Sequence, residues 1–130
     1  MAKKKLIKWE ATLGHYAFIA GLFLALIAPL VTEFIENIET RIVATTVITV
    51  TFAALGIIVG ILNITAKEVT EFLVAVLVLL ISFATTERVL RIIPTIGNWL
   101  ATVWGYAIVF SAFAAIIVAI KAVYALAQKK

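Results

Sequence analysis

The chain of 130 residues has no cysteine. That removes disulfides, thiolate metal sites and cysteine nucleophiles together. Methionine and glutamine occur once each, and asparagine three times, as Asn37, Asn63 and Asn98. Scarcity of these labile residues fits a heat-adapted source. No nucleophile–base pairing, phosphate loop or metal-ligand set is present in the sequence, and one histidine leaves most catalytic constellations unavailable. The expectation is a chain that is not an enzyme, with no catalytic residue, cofactor or metal. Charge is scarce too. Charged residues make up 14% of the chain and hydrophobic ones 65%, against about 25% and about 45–50% in soluble domains. A chain this short cannot hide so much apolar surface in its own core, so lipid is its natural solvent.

What is present is four apolar runs, each near the roughly 20 residues that cross a hydrocarbon core. They predict an all-α polytopic membrane protein, a single domain over residues 1–130, with helices at about 11–31, 42–62, 66–86 and 99–125. Lys3, Lys4, Lys5 and Lys8 resemble the basic start of a signal peptide. The apolar run behind them is too long, and no A-x-A site closes it, so it reads as a retained first helix. Pro29 predicts a kink or an early end near Ala25. Thr65-Ala66-Lys67-Glu68 fits a capping box with Thr65 as N-cap, Ile64 and Val69 complete a hydrophobic staple, and Lys67 and Glu71 can pair. Pro94 halts whatever precedes it, and Asn98 is the expected cap of helix 4. The stretch from Glu87 to Ile96 either continues helix 3 into the headgroups or lies along the interface. The latter allows a three-span arrangement.

Orientation follows from lysine and arginine. With the N-terminus inside, the cytoplasmic parts hold Lys3, Lys4, Lys5, Lys8, Lys67, Lys121, Lys129 and Lys130, and the outer parts hold Arg41, Arg88 and Arg91. The balance predicts both termini in the cytoplasm of a plasma-membrane protein. The sequon Asn63-Ile64-Thr65 would then go unglycosylated. Trp9, Tyr16, Trp99, Trp104, Tyr106 and Tyr124 sit where interfacial belts do. The net charge of +4 would suit nucleic acid, but these basic residues flank apolar helices, where orientation and anionic lipid account for them. Contact of Lys3, Lys4, Lys5 and Lys8 with anionic lipid is expected, and neither nucleic acid nor a small-molecule substrate.

Small residues repeat at helical spacing. Gly14, Ala17, Gly21, Ala25 and Ala28 share a face of helix 1. Gly56-x-x-x-Gly60 lies in helix 2. Ala107, Ser111, Ala115 and Ala119 step by four in helix 4, beside Gly105 and Ala112. Small residues let backbones approach closely, which gains dispersion where lipid supplies no hydrophobic drive. Packing inside one bundle and self-association of subunits both fit, and three stripes in four helices suggest some of each. Thr45, Thr46, Thr49 and Thr51 either line a polar path or bond back to their own i−4 carbonyls. Glu33, Glu36 and Glu39, three residues apart before Arg41, either gather a divalent cation on one helical side or form a solvated acidic loop, with Arg88 or Arg91 as candidate partners.

Intramembrane charge, the usual mark of transport, is missing from the span centres. Glu10 and His15 lie only in the first turns of helix 1, where His15 either senses pH or is a tolerated interfacial residue. Small multidrug exporters share the helix count and length but need a carboxylate inside helix 1, so a proton-coupled exporter is disfavoured.

The segments Leu13-Gly14-His15-Tyr16-Ala17-Phe18, Gly60-Ile61-Leu62-Asn63-Ile64-Thr65-Ala66-Lys67-Glu68, Ile93-Pro94-Thr95-Ile96-Gly97 and Ala119-Ile120-Lys121-Ala122-Val123-Tyr124 resemble a group of short four-span membrane proteins from archaeal and uncultivated lineages. The resemblance implies an archaeal-type plasma membrane and carries over no site. The reading that results is a structural, self-assembling membrane protein. Its homo-oligomer or array would be built on Gly14, Ala17, Gly21, Ala25, Gly56, Gly60, Gly105, Ser111, Ala115 and Ala119. An oligomeric channel or holin-like pore, lined by the helix 2 threonines, is the alternative, and an accessory subunit of a larger complex is a third.

Overall fold

A computed structural model of the chain describes residues 2–62 and 68–129, leaving out the side chains of residues 7–11, 14 and 15. It contains α1 (Ala2–Glu33), α2 (Ile38–Leu62), α3 (Val69–Ile92) and α4 (Gly97–Gln128). All four are long and apolar enough to cross a membrane, as a multi-pass membrane protein requires. The expected Thr65 capping box, its staple partner Ile64, and Lys67 lie outside the described residues.

Each helix runs past its apolar core into polar turns. α1 starts at Ala2 rather than Ala11, because lysine and leucine are good helix formers and sustain turns that hydropathy does not mark. It also passes Pro29 and ends at Glu33, so the early end is corrected. Proline forfeits only its own bond to the carbonyl four residues back, and Thr32 Oγ1 donates to the Pro29 carbonyl at 2.9 Å in the following turn. α2 starts at Ile38 instead of Ile42 because Asn37 is its N-cap. The Asn37 Oδ1 accepts from the backbone N–H of Glu39 at 2.9 Å and of Thr40 at 3.3 Å, which satisfies two otherwise orphaned donors.

α3 continues to Ile92 rather than stopping near Thr86. The segment after Glu87 is thus a helical extension, not a separate interfacial element. An Arg91–Glu87 pair at 2.9 Å, spaced i,i+4, braces that last stretch, and Pro94 lies just beyond it.

The α3–α4 connection is tight. Ile96 N–H bonds to the Pro94 carbonyl at 2.7 Å, which closes a three-residue turn around Thr95 with φ 66°. That is a strained setting for a β-branched residue. Gly97 follows, and a Cβ there would collide with the Leu90 carbonyl oxygen. Asn98 is not the cap of α4. Ile96 holds the cap position without a side-chain bond, and Asn98 sits in the first turn, its carbonyl accepting from Thr102 Oγ1 at 2.9 Å.

The helices pack around α4. It meets α1, α2 and α3, α1 also meets α2, and among the described residues α3 packs its backbone on no other helix. α1 and α3 touch through an edge-on pair of rings, Phe18 and Phe72, with centroids 6.4 Å apart. The core joins Ala25, Phe52, Val59, Tyr106 and Phe110. Tyr106 is stacked on Phe52 at 5.3 Å and is 5% exposed, so it is a core residue and not part of an interfacial belt. Tyr16 and Tyr124 are well exposed, and the side chain of Trp9 lies outside the described residues.

The turn yields a paired prediction. Thr95→Gly should raise stability by about 1 kcal/mol through release of strain, whereas Gly97→Ala should lower it by about 2 kcal/mol through the collision with Leu90. Unfolding of detergent-solubilised protein in rising dodecyl sulfate measures both, and a Thr95→Gly protein less stable than wild type would contradict the first.

Candidate functional site

The densest construction in the molecule is the seam between α2 and α4. Gly56 and Gly60 are buried one turn apart. A Cβ on Gly60 would lie 2.7 Å from the Ala114 carbonyl oxygen and 2.9 Å from Ile117 Cβ. On Gly56 it would run into the Phe110 carbonyl oxygen, with Phe113 Cβ at 3.1 Å. In both cases the obstacle is largely α4 backbone, which cannot swing aside. Two helices this close gain many dispersion contacts, the main attraction open to apolar helices in lipid. The Gly56-x-x-x-Gly60 motif is therefore occupied within the chain.

α1 joins the seam through Phe110. A Cβ on Gly21 would stand 2.6 Å from that ring, Phe110 is fully buried, and Phe18 rests beside it at 5.5 Å. Ala25 is buried, and Ala17, Ala28 and Ala107 pack against the same cluster. Ser111 is buried, while Ala115 and Ala119 are half-buried. Of the ten small residues singled out, Ala17, Gly21, Ala25, Gly56 and Gly60 thus meet in one intramolecular core. Gly105 differs, because a Cβ there would meet nothing within 4 Å. The side-chain surroundings of Gly14, like those of His15 and Lys8, lie outside the described residues.

Lys121 completes the seam and was missed as anything beyond an orientation charge. Its Nζ donates to the Gly60 carbonyl at 3.1 Å and to the Ile61 carbonyl. These belong to the last turn of α2, where carbonyls have no helical partner and the helix dipole is negative. The bridged residues are some sixty positions apart, so only the lysine's character could have signalled the cap.

Comparison of the chain with protein-family models, curated proteins and solved structures finds no match.

The polar side chains are mostly spent locally. Thr45, Thr46, Thr49 and Thr51 donate to the carbonyls of Arg41, Ile42, Thr45 and Val47 at 2.8–2.9 Å, the back-bonding that lets hydroxyls sit on an apolar helix. Arg41, Thr45, Thr46 and Thr49 border a shallow groove of about 390 Å³. The three carboxylates do not share a helical side. Glu33 ends α1, Glu36 lies in the link, and Glu39 is in the first turn of α2. Arg91 pairs with Glu87 rather than with this loop, and Arg41 Nε donates to the Ile35 carbonyl at 2.9 Å. Glu33 and Arg41 also line a small pocket of about 140 Å³ with Trp99 and Asn98. Among the described residues, no three histidines or carboxylates gather as a metal set would require.

Two predictions follow from the seam. Gly60→Ala should cost about 1–3 kcal/mol by overpacking, while Gly105→Ala should stay within about 1 kcal/mol of wild type. Equal effects would mean that the seam is not closed within the chain. Lys121→Met should cost about 1–2 kcal/mol, since α2 loses both its cap and the charge facing its dipole. A detergent unfolding series reads each value.

Proposed function

We propose that the protein is a structural, self-associating multi-pass membrane protein of the plasma membrane. Its N- and C-termini are cytoplasmic, and its partners are lipid and further copies of itself. No catalysis, cofactor or small-molecule substrate enters this reading.

The observation that carries it is the uneven use of α4. Most of its faces hold other helices, but Gly105 opens on empty space, Ala112 is only half-buried, and Ile116 and Ile120 are exposed. At steps of seven, four and four these share one helical side as a strip, with Gly105 and Ala112 small enough to admit the backbone of another helix. α3 is open to its surroundings as well. It docks by its backbone on α4 alone, and Val74, Leu77, Val78 and Ile81 are each more than half exposed. The chain thus divides its small residues: those at the seam build the protomer, and those on the strip are available to a second copy.

Helix register supports the orientation. From Gly97 to Lys121, level with the end of α2, is about 36 Å at 1.5 Å per residue, close to the length of α3. α1 and α4 overrun this slab at one end only, and their overhangs carry Lys3, Lys4, Lys5 and Lys129. The opposite end carries Arg41, Arg88 and Arg91 beside Glu33, Glu36, Glu39 and Glu87. A lysine-rich end belongs in the cytoplasm.

Because the chain has no cysteine, single-cysteine variants test the strip cleanly. Ala112→Cys and Ile116→Cys should cross-link into dimers in reconstituted membranes far faster than Val47→Cys, on the exposed face of α2. Wild-type protein in nanodiscs should show a mass above one chain. A monomer at every protein-to-lipid ratio, with the three variants cross-linking equally, would overturn the proposal.

A further inference from the structure

The cytoplasmic-type end holds a second constructed feature. Between the start of α3 and the end of α4 lies a groove of about 390 Å³ lined by Val69, Thr70, Lys121, Ala122, Ala125, Leu126 and Lys129. Its chemistry is divided in two. Val69, Ala122, Ala125 and Leu126 make an apolar wall, and Leu126 is 66% exposed. Lys121, Lys129 and the Thr70 hydroxyl make a cationic, hydrogen-bonding rim.

We infer that this groove is a binding site for one anionic phospholipid, with its phosphate between Lys121 and Lys129 and its glycerol and the ester-linked start of an acyl chain against the apolar wall. Three observations converge on it. The first is depth. Lys121 bonds to the last turn of α2, so it marks the level where hydrocarbon gives way to headgroups, and the following turns of α4 stand in the headgroup layer. The second is charge. An ammonium group has three protons, and the Gly60 and Ile61 carbonyls take two. The third remains for a phosphate oxygen, and Lys129 brings a second positive charge on a long, flexible stem. Glu68 and Glu71 lie on the neighbouring turn of α3 but do not line the groove, so they bias it against additional anions without blocking the first. The third is amphiphilicity. A free phosphate has no use for an exposed leucine and two alanines, whereas a lipid covers them as its headgroup is neutralised. Basic pockets between membrane helices recognise anionic headgroups in this way. Lys121 then has a double role, holding α2 with two protons and the lipid with the third.

The site is distinct from the Lys3–Lys5 cluster, which is exposed on the first turn of α1 and lines no part of this groove. It does not depend on self-association, because every groove residue belongs to one chain.

The experiment is native mass spectrometry of the full chain released from detergent containing equimolar phosphatidylglycerol and phosphatidylcholine. Wild type should retain one phosphatidylglycerol in clear preference. Lys129→Gln, which leaves the α2 cap intact, should weaken that preference about fivefold, the share of one basic residue near a headgroup. Ala125→Trp, which fills the groove without changing its charge, should abolish the single adduct. A Lys3→Gln, Lys4→Gln, Lys5→Gln triple variant should retain it. Circular dichroism checks that each variant keeps its helix content. Equal retention of the two lipids by wild type, or undiminished phosphatidylglycerol on both Lys129→Gln and Ala125→Trp, would overturn the assignment. Loss only in the triple variant would place lipid at the N-terminal cluster and reject the groove.

Discussion

Hydrocarbon offers an apolar helix nearly the same company that another apolar helix does. A fold in that solvent rests on contacts that lipid cannot match, and here they are concentrated where the backbone of α4 lies against Gly56 and Gly60. Remove the side chain at two positions a turn apart and the opposing carbonyls of Phe110 and Ala114 come within reach. Phe110 is then fixed in place for Gly21 and Phe18 of α1 to close upon, and Tyr106 is aligned for Phe52. Even Lys121 reaches the end of α2 only because the two backbones approach so closely two turns earlier. The remaining packing is arranged around this line of contact.

The same constraint separates what a small residue means in different places. A glycine opposite a backbone is structural, since nothing there can yield. A glycine opposite empty space, such as Gly105, has no such duty inside the protomer. Spacing alone cannot divide the two cases, because both recur at three and four residues along a helix.

Much of the architecture was legible in the sequence. Four apolar runs gave four helices, since a span needs little more than length and hydropathy. The back-bonding of the α2 threonines could also be read, because donor and acceptor are four residues apart. Helix ends were less legible. The lysine-rich start of α1 and the Arg91–Glu87 turn of α3 are polar, so hydropathy stops short of them while helix propensity does not. Asn37 as the cap of α2 is readable from residue type, since asparagine is a preferred N-cap. The pairing of Gly56 and Gly60 with α4, the stacking of Tyr106 on Phe52 and the reach of Lys121 were not legible. Each joins residues far apart in the chain, and no local rule selects a partner across that distance. Tyr106 was misplaced for that reason, as an amphipathic ring near two tryptophans looks interfacial until its neighbour in another helix is known.

The central position of α4 has a consequence for how the chain matures. It is synthesised after the other three, yet it touches all of them and carries half of the buried residues among those described. Until it arrives, α3 has only the Phe18–Phe72 ring contact with α1 among the described residues, and the final carbonyls of α2 lack the lysine that covers them. Without α4, the described residues of the other three helices are joined only by the packing of α1 on α2 and by that one pair of rings. Most of the contacts between helices therefore become possible only once α4 lies against the three helices made before it.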